Sequence, residues 1–124
     1  MESLLTTLKE KLADDQVTTN QTVRELHGRD ETYLEESLPD VVVFPKTTED
    51  VVHIVETARQ FQTPITPFGA GTSLEGHVIP YKKGISMDFS EMNQILEIKE
   101  NDLLVRVQPG VTRDQLNKEL KKYG

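Results

Sequence analysis

The sequence predicts an α+β fold whose first lobe is α/β. Three observations lead there. The β-branched run Val41-Val42-Val43-Phe44, a capped amphipathic segment and a second apolar run ending at Phe68 make the pattern of a βαβ unit. Two later segments, 95–99 and 102–108, alternate apolar and polar residues about Glu100-Asn101, as an antiparallel hairpin does. A Pro109-Gly110 break and a further capped helix then close the chain.

Taken in order, Leu4, Leu5, Leu8 and Leu12 recur at helical spacing and predict an amphipathic helix over 3–13. Residues 14–40 are polar and poorly periodic, so they are expected to wrap across the domain, with a short helix possible near 20–26. This sets a division between an N-terminal helix and wrapping segment, 1–40, and the domain proper, 41–124. Pro45 ends the strand at 41–44 because it cannot donate to a ladder. Thr47 stands three residues before Asp50, a capping spacing, and Val51, Ile54, Val55, Ala58 and Phe61 share one face of a helix over 48–62. A strand near 64–68 follows, expected to run parallel to the first. Residues 84–89 alternate as a strand and Ser90-Glu91-Met92-Asn93 makes a turn. After the hairpin, Thr112 and Gln115 repeat the capping spacing, and Leu116, Leu120 and Tyr123 line the last helix.

A net charge of -7 and a pI near 4.9 argue against a nucleic-acid partner, which would attract clustered Lys and Arg. The chain has no cysteine, which excludes disulfides, thiolate metal sites and a cysteine nucleophile. Six charged residues within 1–16 are incompatible with a signal-peptide core or a transmembrane span, so a cytoplasmic protein without a transmembrane segment is expected.

The chemistry concentrates in Pro67-Phe68-Gly69-Ala70-Gly71-Thr72-Ser73-Leu74-Glu75-Gly76-His77. Glycine lets the backbone approach a ligand closely, so several amides can converge on one anion. No Lys or Arg lies between Arg59 and Lys82, so phosphate here would rest on amides and on the Thr72 and Ser73 hydroxyls. The dinucleotide fingerprint G-x-G-x-x-G fails because Leu74 stands where the third glycine belongs. The P-loop pattern fails because His77-Val78 replaces the Lys-Ser/Thr pair. Glycines alone leave a ligand-free turn open.

Residues 67–77 resemble the phosphate loop of the vanillyl-alcohol-oxidase (PCMH-type) FAD domain, in the branch that holds D-lactate dehydrogenase and the glycolate oxidase FAD subunit. The runs 38–52, 85–95 and 105–111 are similar to that family's neighbouring segments in the same order, so about residues 22–124 are covered. The resemblance implies that Gly69, Ala70, Gly71, Thr72 and Ser73 cradle the FAD pyrophosphate, that Gly76 and His77 continue toward the ribityl and flavin side, and that Gln108, Pro109 and Gly110 add backbone contacts, with Pro45 shaping the same pocket. Thr72 occupies the position where some relatives link FAD through histidine, which implies a non-covalent flavin. Many relatives carry arginine in place of Phe68, and phenylalanine resembles the D-lactate dehydrogenase side. The family continues with an adenine-covering stretch, a substrate cap and the catalytic and metal-binding residues, so the chain is expected to be the opening part of such an enzyme, inactive alone and free to self-associate through the surface the remainder would cover.

The implied function is FAD-dependent oxidation of a small D-2-hydroxy acid, lactate or glycolate, to the 2-oxo acid. Two rivals stand beside it: a non-catalytic ligand-binding or oligomerising α/β domain, and an FAD oxidase of the same superfamily acting on another alcohol. No catalytic residue is assigned, and no metal site, because the three histidines lack ligand spacing. His53, beside Glu56, Thr57 and Gln60, is expected at the surface, and His27 in a cap or surface position. His77 is expected near the flavin or in packing, Asp88 capping the Ser90 turn, and Tyr33 and Tyr81 as boundary aromatics. No G-x-S-x-G elbow supports a serine hydrolase.

Overall fold

The computed structural model describes residues 2–28, 37–69 and 83–123. Helix α1 (Glu2–Lys9) is followed by a 3-10 turn (Asp14–Gln16), strand β1 (Val17–Thr18) and helix α2 (Gln21–Leu26). Strand β2 (Val41–Val43), helix α3 (Thr48–Gln60) and strand β3 (Ile65–Phe68) come next, then β4 (Ile85–Asp88). The chain closes with β5 (Ile95–Lys99), β6 (Leu104–Val107) and α4 (Arg113–Leu120).

The first four strands form a sheet in the order β1-β2-β4-β3, and β5 and β6 form a separate hairpin. β2 and β3 are parallel, as the βαβ pattern predicts, but they are not neighbours: β4 lies between them, parallel to both. The strand at 85–88 therefore belongs to the first lobe. Its alternation of Ile85, Ser86, Met87 and Asp88 suggests one wet face, yet every residue of it is buried, because both faces of the sheet are covered. β1 adds an antiparallel edge through Val17 opposite Val43. Two residues long, it leaves no period-two signal to read.

One face of the sheet carries the core. Val41, Val43, Ile85 and Met87 meet Leu4, Leu8 and Leu12 of the N-terminal segment and Ile54 and Ala58 of α3. Thr47 Oγ1 caps α3 by accepting from Asp50 N at 3.1 Å. Asp50 completes the junction from its side chain, accepting from Lys46 N at 3.0 Å and from Gln16 Nε2 at 2.9 Å. The burial expected of Val55 is not met; it stays 46% exposed.

His53 is not at the surface. It is 9% exposed, and Nε2 lies 2.9 Å from Thr7 O and 3.2 Å from Leu8 O, where it donates to the last carbonyls of α1. Thr57, one turn on, is buried as well. The stripe of α3 covered by α1 is thus wider than its apolar stripe, which hydrophobic periodicity alone cannot reveal.

Candidate functional site

Strands β3 and β4 end side by side. Phe68 pairs with Asp88, and Phe89 N donates to Phe68 O at 3.0 Å, so Gly69 and Ser90 leave the sheet at the same edge. Ligands of open α/β sheets bind at such carboxyl ends. A cavity of about 580 Å³ opens there, lined by Gly69, Ser90, Asn93 and residues 109–115.

The far wall comes from the second lobe. Gly110 N donates to Met92 O at 2.8 Å, which draws the end of β6 onto the turn after β4. A Cβ on Gly110 would stand 2.0 Å from Phe89 O, so glycine is required here by this close approach of backbones and not by a ligand. Gly69 is the opposite case: a Cβ there would meet nothing within 4 Å among the described residues beyond its chain neighbours. Open space above a glycine, in a cavity of the size that encloses small ligands, fits the close approach of a cofactor.

Of the residues implied by the family resemblance, the structure brings Gly69, Pro109 and Gly110 together around this cavity. Gln108 is engaged in the hairpin instead: its amide donates to Gln94 O at 2.9 Å and its Oε1 accepts from Gln94 N at 2.9 Å. With the Gly110 amide also in use and no N–H on Pro109, what the 108–110 segment can offer a ligand is carbonyls and van der Waals surface. Ala70, Gly71, Thr72, Ser73, Gly76 and His77, like Tyr33 and Tyr81, lie outside the described residues. Pro45 is fully buried behind β2.

Arg113 and Asp114 also line the cavity, and sequence reasoning missed them. The available signal was the Thr112 cap, whose Oγ1 accepts from Gln115 N at 3.2 Å and so starts α4 at the cavity wall. First-turn amides of a helix have no intrahelical acceptor, and here the Arg113 guanidinium and the Asp114 carboxylate stand beside them with opposite charge. Gln115 does not return to cap Thr112; its Nε2 donates to Asn93 O at 2.6 Å and ties α4 to the turn.

Asp88 caps its turn as expected, accepting from Ser90 N at 2.8 Å. His27 is the C-terminal cap of α2, but it is buried and its Nε2 lies 2.6 Å from Asp88 Oδ2.

A mixed sheet whose parallel strands β3 and β4 end at a cavity, walled by an antiparallel lobe, is the architecture of an α+β domain suited to hold a cofactor. Residues 39–124 match the family described as "FAD binding domain"; the chain belongs to that family, and its cofactor is FAD. It is 37% identical over its whole length to a "Probable D-lactate dehydrogenase, mitochondrial" of Danio rerio, of which it spans 25%. It is 40% identical over 71% of its length to the "Glycolate oxidase subunit GlcD" of Bacillus subtilis, of which the match covers 19%. Among solved structures, an alkyldihydroxyacetonephosphate synthase superposes on all of this chain with a TM-score of 0.90 at 24% identity, the match covering 27% of that protein, a likeness of fold. The chain thus spans about a quarter of the curated relative it matches end to end. No helix among the described residues is long and apolar enough to cross a membrane.

Proposed function

We propose that the chain is the flavin-holding opening portion of an FAD-dependent D-2-hydroxy-acid dehydrogenase that oxidises a small acid such as D-lactate or glycolate to the 2-oxo acid. The observation that carries this is the meeting of Gly69 with Pro109 and Gly110 around one cavity at the ends of β3 and β4. The similarity to a D-lactate dehydrogenase and a glycolate oxidase subunit supports the substrate class.

In this reading Gly69, Ala70, Gly71, Thr72 and Ser73 hold the pyrophosphate, Gly76 and His77 run on toward the flavin, and Pro109 and Gly110 form the wall, with Gln108 fixing that wall to the hairpin. Bound FAD supplies the hydride acceptor for the oxidation. Thr72 offers no side chain for a histidyl link, so the flavin is held non-covalently. The chain's own work is to bind and orient the cofactor, and alone it does not turn over.

FAD should raise the melting temperature of the chain, since a ligand that binds only the native state stabilises it. A protein carrying this domain over the relatives' full length should reduce a dye with D-lactate or glycolate and not with L-lactate. Reduction by a non-acid alcohol alone would reassign it to the oxidases, and no reduction by any hydroxy acid would overturn the dehydrogenase reading.

Three narrower readings accompany it. The 40/41 division is kept, supported by the family match opening at residue 39 although α1 and β1 share the core of the sheet. A homo-oligomer forms through the hairpin, where Leu96, Leu103 and Leu104 are more than half exposed; a monomer by light scattering would refute it. A cytoplasmic location is the third, and recovery of the protein with mitochondria would refute it.

A further inference from the structure

His27 turns its ring away from solvent. Nδ1 lies 2.8 Å from Val23 O and Nε2 2.6 Å from Asp88 Oδ2, and the two side chains keep only 7% and 8% of their surface exposed. A carbonyl oxygen can only accept, so Nδ1 carries a hydrogen. Burial pushes the Asp88 carboxyl up, but hydrogen bonds from the His27 ring and from the Ser90 amide and hydroxyl outweigh it and hold the group below its ordinary value. The contact is a buried histidine–carboxylate pair.

Such a pair is weak evidence for stability, because desolvation offsets its attraction. Its position gives it another use. The second oxygen of Asp88 accepts from Ser90 N at 2.8 Å, and Ser90 lines the cavity. The ring of His27 packs on Phe68 with centroids 4.2 Å apart and touches Phe44 edge-on at 5.9 Å. Phe68 leads directly into Gly69, the open floor of the same cavity. Two of the cavity's walls therefore depend on one buried pair, contributed by residues 61 apart in sequence.

We infer that His27 and Asp88 are positioning residues for the cofactor cavity, holding Gly69 through Phe68 and Ser90 through the carboxylate. This deepens the FAD reading and rests on it only for what fills the cavity. Charged neighbours on the packed elements have their own partners. Arg24 Nε donates to Pro39 O at 2.8 Å, Glu25 accepts from Gln21 at 3.1 Å, Asp40 accepts from Gly84 N at 3.0 Å, and Lys46 pairs with Asp15 at 3.3 Å. Glu91 and Lys83 are exposed. Among the described residues, none of these competes for the pair.

The test is a pH titration of the FAD-free chain by nitrogen-15 NMR, followed by FAD binding, with wild type, Asp88→Asn, His27→Gln and the destabilised control Leu8→Ala. The Gly69 and Ser90 amide signals should move together as acid protonates the Asp88 carboxylate, which its hydrogen bonds hold below the ordinary carboxylate range. In Asp88→Asn, which keeps its shape and its acceptor for Ser90, and in His27→Gln, this joint response should vanish. FAD should bind both variants about tenfold more weakly and with displaced absorption bands, while the bands of Leu8→Ala stay in place. Amides that do not respond, or variants that bind FAD as wild type does, would each overturn the inference. Should FAD bind none of the proteins, the cofactor reading fails, and the amide response still decides whether the pair positions the cavity.

Discussion

Replacing Gly110 with alanine should separate the two lobes. Among the described glycines only Gly84 has a positive φ, so alanine suits the backbone at 110 and the entire cost is steric. The new methyl would lie 2.0 Å from Phe89 O, 2.8 Å from Met92 O and 2.9 Å from Phe89 C. All three are backbone atoms, so no rotamer change relieves the contact, and the Phe89 carbonyl must recede by about 1.4 Å or more to reach ordinary van der Waals distance. That displacement pulls on two hydrogen bonds, Gly110 N to Met92 O at 2.8 Å and Met92 N to Phe89 O at 2.9 Å. Overpacking combined with two weakened hydrogen bonds amounts to about 3 kcal/mol, which for a domain of this size lowers the melting temperature by roughly 10 °C. Urea denaturation followed by circular dichroism measures it. A change under about 0.5 kcal/mol would show that the end of β6 does not rest on the turn after β4, and the cavity built between them would lose its wall.

Other substitutions probe the rest of the fold. Leu8→Ala, at a fully buried position between α1 and the sheet, should cost about 2–5 kcal/mol by urea denaturation. Ser86→Ala should leave stability unchanged or raise it by about 1 kcal/mol, because the Ser86 hydroxyl is buried with no hydrogen-bond partner among the described residues. Acid should unfold the chain in part through Asp50: burial pushes its carboxyl up, but hydrogen bonds from the Lys46 amide, the Gln16 side chain and Thr47 outweigh that and lower its pKa below 3.8. A carboxyl lowered in the folded state stabilises above its unfolded pKa and loses that contribution as pH falls through the folded one. Melting temperatures of Asp50→Asn should therefore fall less steeply than those of wild type below about pH 4, and parallel curves would refute the assignment.

Much of this architecture was legible because local signals and tertiary structure agree. The Thr47 and Thr112 caps, the run 41–43 and the hairpin alternation each mark an element that formed where expected. What stayed hidden depends on partners far away in sequence. The central place of β4 is set by coverage from both faces, and the burial of His53 by the end of α1. The pairing of His27 with Asp88 joins a polar, unpatterned segment to a strand end, so no spacing rule could find it. Of the candidate site, Gly69 and Pro109-Gly110 were singled out from the sequence and line one cavity, but a close backbone approach at Gly110 was not readable, and Arg113 enters only because the capped helix begins at the cavity wall.

The claim that FAD occupies the space above Gly69 is tested most directly by calorimetric titration of FAD into wild type and Gly69→Ala. Since the added methyl meets no atom of the other described residues within 4 Å, the variant should melt at the wild-type temperature without FAD, yet bind FAD at least about tenfold more weakly, because the methyl takes up cofactor space. Equal affinity in the two proteins would contradict the account.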